Sequence, residues 1–269
     1  MNNRFQFEEE VSRQVEAIYS TPDVAGQRRA ILQALDLRPG ERVLDVGSGP
    51  GFLAADMAVA VGASGRVRGV DISETMVAIS QRRCADLPHV EFQIGDATRL
   101  PFPDGGFDVA VSTQVYEYLS DGDVTTALAE LHRVLRLGGR VLILDTDGDS
   151  LVWHSTDRAR MARVLAAWEE HCADFHLPPK LSTRLTRAGF AIRRRAIIPL
   201  FNAEYDPNTY SYGLINLIVA FTPGKRGVTA EEAKAWAEDV RRSGAEGSYF
   251  FSLNRYLFLA IKAGPIERP

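Results

Sequence analysis

Val43-Leu44-Asp45-Val46-Gly47-Ser48-Gly49-Pro50-Gly51 is an apolar run interrupted by one acid and followed by three glycines in five positions. It reads as a buried strand that turns sharply into a helix starting near Phe52 and Leu53. Glycine has no Cβ, so Gly47 and Gly49 can take positive φ and let a ligand lie on bare backbone at the strand's carboxyl end. A dinucleotide fingerprint, G-x-G-x-x-G, would put its third glycine where Phe52 stands, so NAD matches this loop imperfectly.

Working outward, the same rhythm repeats. A helix through Ala60 leads to a strand over Gly65–Asp71, then a helix from Ser73 to about Cys84. Val90–Asp96 and Phe107–Ser112 are the next strands, the latter introduced by the Pro101–Gly106 turn. A helix from Asp121 to Leu135 runs into a Leu137-Gly138-Gly139 stop and a fifth strand, Arg140–Asp145. A helix over Leu181–Gly189, a sixth strand over Phe190–Leu200 and a last strand over Tyr249–Lys262 follow. Strands alternating with helices imply the α/β class: a doubly wound, mostly parallel, seven-stranded sheet covered on both faces. On the amino-terminal side, Phe7–Leu37 predicts two helices broken at Ser20-Thr21-Pro22-Asp23, with Thr21 as cap and Pro22 at the first helical position. Residues 151–180 and 202–247 interrupt the rhythm and are expected to form helical cap insertions on a single domain spanning 1–269, with residues 1–38 as helices over the ligand site.

Composition narrows the function. With 31 basic and 35 acidic side chains, a net charge of −4 and scattered arginines, the chain offers no phosphate-tracking surface, and nucleic acid is not an expected partner. No apolar run approaches the ~20 residues of a membrane span, and the amino terminus does not resemble a signal peptide, so a cytoplasmic protein without membrane insertion, monomeric or homodimeric, is expected. Cys84 and Cys172 lack disulfide or zinc spacing and read as packed, inert thiols. Asp145-Thr146-Asp147-Gly148-Asp149 has its glycine misplaced for a calcium loop, so no metal is expected.

The glycine loop, three strands ending in Asp45, Asp71 and Asp96, and the Leu-x-Gly-Gly entry to the fifth strand together resemble the class I S-adenosylmethionine (SAM) dependent methyltransferases, from about Phe5 to Lys262. The resemblance implies a Rossmann-like fold, SAM as cofactor and S-adenosylhomocysteine (SAH) as product. It implies that Gly47 and Gly49 underlie the methionine part and that Asp45 serves its amino group. Asp71 would accept from the ribose hydroxyls, Ile72 and Met76 would pack on adenine, and Asp96-Ala97 would read the adenine edge. Gln114 falls near the sulfonium, and Tyr19 and Arg28 resemble an aromatic near the sulfonium and an arginine on the ligand carboxylate. Arg28 also shares a helix face with Val24, Ile31 and Leu35, which directs it inward, toward either an acidic side chain or a ligand.

The Val115-Tyr116-Glu117-Tyr118 run, the Trp153-His154-Ser155 stretch and the last strand are similar to a bacterial branch near the ubiquinone/menaquinone C-methyltransferases, which includes natural-product enzymes acting on indole carbon 3. That branch implies a small-molecule acceptor, an electron-rich aromatic, with N- or O-methylation of another metabolite and a non-catalytic SAM- or NAD-binding protein as alternatives. For the acceptor side, Trp153, His176, Tyr205, Tyr210 and Tyr212 are the candidate walls. His154 is the first candidate for a base because it follows the fifth strand and histidine titrates near neutrality; Glu117 and Tyr116 are the others.

Overall fold

The computed structural model describes residues 9–264, with side chains from residue 13 onward, so the expectations for residues 1–8 lie outside the described residues. Parallel strands β1 (Arg42–Val46), β2 (Arg66–Asp71), β3 (Val90–Ile94), β4 (Phe107–Thr113) and β5 (Leu135–Thr146) are joined by α3 (Phe52–Val61), α4 (Glu74–Arg83) and α5 (Asp121–Val134). The chain then adds β6 (Val152–Trp153), α6 (Arg158–Trp168), α7 (Pro178–Arg187), β7 (Phe190–Asn202), α8 (Tyr210–Phe221), α9 (Ala230–Ala245) and β8 (Phe251–Lys262), after α1 (Glu9–Tyr19) and α2 (Pro22–Leu35) at the start. The sheet runs β3-β2-β1-β4-β5-β8-β6, and β7 pairs antiparallel on β8. The eighth strand, β6, is two residues long and has no counterpart in the sequence reading. The order reverses direction between β1 and β4, which opens a crevice at the carboxyl ends of those strands.

Two boundaries differ from the sequence reading for physical reasons. Leu137-Gly138-Gly139 does not end α5; the chain leaves the helix at Leu135, already extended at φ −78°, ψ 139°, and Leu135 pairs with Phe107. Thr21 occupies the N-cap position of α2, but its hydroxyl donates to Ile18 O at 2.7 Å and makes no cap.

One face of the sheet packs through Leu128, Leu131, Leu181 and Leu185 of α5 and α7. The other packs through Ile31, Leu35, Leu53, Met57 and Val77 of α2, α3 and α4. A third core, with Trp168, Ile215, Ile218, Trp236 and Phe251, joins α6, α8 and α9 to the start of β8. This cap sits at the strand ends that the crevice occupies.

Candidate active site

The glycine loop follows from backbone geometry. Gly47 has φ +73°, and a Cβ there would lie 2.1 Å from Val115 Cγ2, so no other residue fits without moving the chain that follows β4. Gly49 has φ +50° with open space where a Cβ would be. Asp71 Oδ2 accepts from Gly49 N at 2.8 Å and Oδ1 from Ser73 N at 2.9 Å, so one carboxylate braces the loop and caps the turn into α4. Gln114, just past β4, is held at φ +57°, an uncommon conformation for a side chain of its size.

Above the loop lies a cavity of about 450 Å³ whose walls include Tyr19, Arg28, Gly47, Gly49, Phe52, Asp71, Ile72, Met76, Asp96, Ala97 and Gln114. A smaller cavity of about 80 Å³ adjoins it. Val15, Tyr19, Gln114, Tyr118 and His171 line both. Beyond this shared wall the smaller cavity is bounded by Trp168, Phe175, Tyr210, Leu214, Leu217 and Leu253, with the carboxylate of Glu117 on one side.

Burial dominates the electrostatics. It pushes Asp45 up to about 7, with the nearby charge of Asp71 adding to the effect. Asp71 is also raised by burial, against the backbone N–H groups of Ser73 and Gly49 that favour its charge. Glu117, 2% exposed, is pushed up to about 7 by burial although Thr146 N–H donates to its Oε2 at 2.8 Å and Arg255 lies nearby. Burial lowers His171 to about 4, so it is neutral at ordinary pH. Its Nδ1 donates to Trp168 O and its ring stacks on Trp168 at 3.8 Å, which leaves Nε2 to accept from the Cys172 thiol at 3.2 Å. Burial raises that thiol well above its usual range and keeps it protonated.

Residues 43–139 match the family model described as a methyltransferase domain. A demethylmenaquinone methyltransferase of Staphylococcus epidermidis is 34% identical over 124 residues, 46% of this chain and 51% of that protein. An uncharacterised 37.1 kDa protein of a Streptomyces fradiae transposon is 42% identical over 156 residues, 58% of this chain and 44% of that protein. The chain thus spans about half the length of the curated relatives it matches. The Haemonchus contortus phosphoethanolamine N-methyltransferase 2, solved in complex with SAM, superposes with a TM-score of 0.63 at 19% identity, over 97% of this chain and 59% of that one. Residues 43–139 thus correspond to a methyltransferase domain. The superposition shows that this chain shares the fold of that SAM-bound N-methyltransferase.

The loop of this methyltransferase domain fits such a cofactor. Asp45 Oδ2 and Ser48 Oγ are buried beside it without partners among the described residues, and the open space over Gly49 would admit a ligand against backbone. Asp45 itself, 1% exposed, stands behind the loop and does not line the cavity, unlike the other residues expected at the cofactor. Arg28 answers both alternatives at once. Its Nε donates to Asp56 Oδ2 at 3.1 Å and its Nη1 to Tyr19 O at 2.6 Å, while the side chain still lines the cavity.

On the other side the structure brings together fewer of the expected residues. Tyr210 and Glu117 line the smaller cavity. His154 is exposed beside β6, where its backbone N–H donates to Phe250 O, and lines neither cavity. Tyr116 is fully buried in the α5 core with its hydroxyl unpartnered among the described residues. Trp153 packs edge-on against Trp236 and Phe251 inside the cap. The rings of Tyr205 and Tyr212 meet at 5.1 Å between centres, and Tyr205 accepts from Arg241, away from both cavities. His176 is held by Asp147 at 3.2 Å; with Asp149 these place ligand-type atoms within 4.8 Å of one another, outside both cavities.

Tyr118, His171, Cys172, Trp168, Phe175 and Arg255 were missed. Trp168, His171 and Phe175 lie where α6 ends and the chain turns, so no helical periodicity marks them, and Cys172 follows His171. Arg255 falls on the alternation Phe251, Leu253, Arg255, Leu257, so an inward cation was readable there.

Proposed function

We propose that the protein transfers the methyl group of SAM to a small aromatic acceptor held in the smaller cavity. The observation that carries this reading is the shared wall: Val15, Tyr19, Gln114, Tyr118 and His171 belong to both cavities, so two ligands would meet across one boundary. When bound, SAM supplies an electrophilic methyl group on a sulfonium and leaves as SAH. The chain's own residues then have separate tasks. Asp71 accepts from the ribose hydroxyls with the lone pairs left free by Gly49 and Ser73, Ile72 and Met76 flank the adenine, and Asp96 meets the adenine edge while its Oδ1 stays engaged by Thr98. Gln114, Tyr19 and Arg28 face the methionine end. Displacement at a sulfonium needs alignment and exclusion of water more than acid or metal assistance, and an aromatic pocket under a helical cap suits both.

Ring faces and a single carboxylate favour a flat, electron-rich acceptor with one N–H or O–H, such as an indole methylated on carbon. The similarity to a demethylmenaquinone methyltransferase supports carbon as the methylated atom. An amine is the second reading, because aromatic faces beside the Glu117 carboxylate also attract a cation. The cap residues 151–180 and 202–247 are proposed as the acceptor-selecting part of the chain. Calorimetry with SAM and with NADH, followed by mass spectrometry of products from a panel of indoles, quinols and arylamines, tests the proposal. SAM binding with methylated indole or quinol supports it; methylated amines alone favour the second reading; NADH binding without SAM binding ends both.

A further inference from the structure

The inward face of β8 carries Phe251, Leu253, Arg255 and Leu257, all buried, with Arg255 wholly out of water. A guanidinium in that position is expensive unless it is paired. It donates from Nη1 to Gln27 Oε1 of α2, and its Cζ lies 4.8 Å from the centre of the Tyr210 ring of α8. Nε and Nη2 have no partner among the described residues. Arg255 therefore touches a wall residue of each cavity, Gln27 of the larger and Tyr210 of the smaller, while lining neither itself.

Across the sheet, Arg255 is in register with Thr146 of β5, whose N–H donates to Glu117. The preceding residue, Asp145, is fully buried. Its Oδ1 accepts from Val115 N at 3.1 Å and Glu117 N at 3.4 Å, and its Oδ2 has no partner among the described residues. Two adjacent buried carboxylates cannot both be ionised cheaply, so the pair shares its charge, and the cation Arg255 acts on Glu117. Glu117 lines the acceptor cavity and Asp145 does not. The groups that face Glu117 are Asp145 from β5, Arg255 from β8, Tyr19 from α1, Tyr210 from α8, Tyr118 on its own turn, and His171 and Cys172 after α6. Arg255 is the cation of this set, since His171 is neutral.

We propose that Arg255 is a positioning residue that holds the negative charge of the Asp145–Glu117 pair on Glu117, so that Glu117 meets the acceptor as a carboxylate and takes its proton. The step balances: as the methyl–sulfur bond breaks with its electrons left on sulfur, the acceptor supplies the pair for the new bond, and the acceptor's N–H or O–H proton passes to Glu117 as a neutral carboxyl. The inference rests on the small cavity being the acceptor pocket, and its test is partly independent of turnover. In the SAH complex, infrared difference titration follows the Glu117 carboxyl, assigned by its loss in Glu117→Gln. A midpoint near 7 is expected in the native protein. Removing a cation makes the carboxylate harder to form, so Arg255→Met should move the midpoint up by about one pH unit or more, and Arg255→Lys should restore much of the difference. An unmoved midpoint in folded Arg255→Met, or no Glu117 band titrating between about pH 5 and 9, would overturn the proposal. If Arg255→Met does not fold, Arg255→Gln decides: it keeps a hydrogen-bonding side chain without the charge, so the midpoint should rise as in Arg255→Met, and a native midpoint overturns the charge role. Calorimetry keeps the two claims apart. Absent SAH binding in the native protein sinks the methyl-transfer reading, whereas SAH binding and methylated product with an unmoved Arg255→Met midpoint sink only the role of Arg255.

Discussion

The two cavities share a wall but are built in opposite ways. The larger is assembled from consecutive strand ends: Gly47 and Gly49 after β1, Asp71 and Ile72 at β2, Asp96 after β3 and Gln114 after β4. Each lies within a few residues of a strand's last pair, so the parallel register that aligns Asp45 with Gly69 and Val111 also aligns the ligand groups. The smaller draws on α1, the turn after β4, the segment after α6, α8 and β8, which lie far apart in the chain and meet only through the cap core. A site made of strand ends keeps its chemistry when the surroundings vary; a site made of packed helices can change its ligand by changing one side chain.

The sharpest break of this comparison is Glu117→Gln, which is nearly isosteric and removes the one carboxylate that lines the smaller cavity among the described residues. Loss of a general base costs roughly 10²–10⁴-fold in rate, and the cofactor side should not notice. Turnover of the identified acceptor should fall by that amount while SAM affinity, measured by calorimetry, stays native. A parallel loss of SAM affinity would mean that the two cavities are one functional unit.

Asp71→Ala is the converse. A carboxylate that accepts from hydroxyls is worth about 1.5 kcal/mol or more, so SAM should bind at least roughly tenfold more weakly in a folded variant. The substitution also removes the brace on Gly49 N. Native affinity would mean that the ribose lies elsewhere.

These two sites were unequally legible in the sequence, and the reason is physical. Glycine is needed at positive φ, and Gly47 is pinned by Val115 at 2.1 Å, so the loop's geometry is written in residue type. An acid at the end of an apolar strand is equally readable. An aromatic residue announces only that it will be buried. Trp153 and Tyr210 look alike in sequence, yet Trp153 fills the cap and Tyr210 lines the cavity, because the difference is decided by how α8 packs on β8. Tyr116 and Tyr118 differ by two positions on one short turn, which sends the first into the α5 core and leaves the second 39% exposed along both cavities. His154 follows the fifth strand closely in sequence, but Val152 and Trp153 pair with β8 and carry it to the outside.

A smaller effect separates the two regions by pH. Asp45 and Glu117 both have folded pKa values of about 7, above their unfolded values of 3.8 and 4.5. Between about pH 4 and 7 the folded protein therefore binds more protons than the unfolded chain, and stability should fall as pH rises through that window and level off above it. Asp45→Asn should remove part of this slope and raise the thermal midpoint of the cofactor-free protein at pH 8, by ~2–4 °C for each kcal/mol recovered. It should raise it less at pH 5, where the native carboxyl is already neutral. A native midpoint at both values would show that Asp45 finds a partner when ionised.

The smallest expected effect tests where the active site ends. His154 is exposed, makes its hydrogen bond to Phe250 through the backbone, and lines neither cavity. His176 hydrogen-bonds Asp147 at the surface side of the β5 end, also outside both. A base must come within hydrogen-bond reach of the proton it takes, directly or through one water, and Glu117 already lines the smaller cavity, proposed for the acceptor. His154→Ala and His176→Ala should each leave kcat and KM within about twofold of native, and stability within about 0.5 kcal/mol, the range of surface substitutions. A rate loss approaching that of Glu117→Gln in His154→Ala, with SAM affinity intact, would place the acceptor on the outer side of β6 and dissolve the distinction between the two cavities. Native turnover in both would leave Glu117, which lines the smaller cavity, as the candidate base.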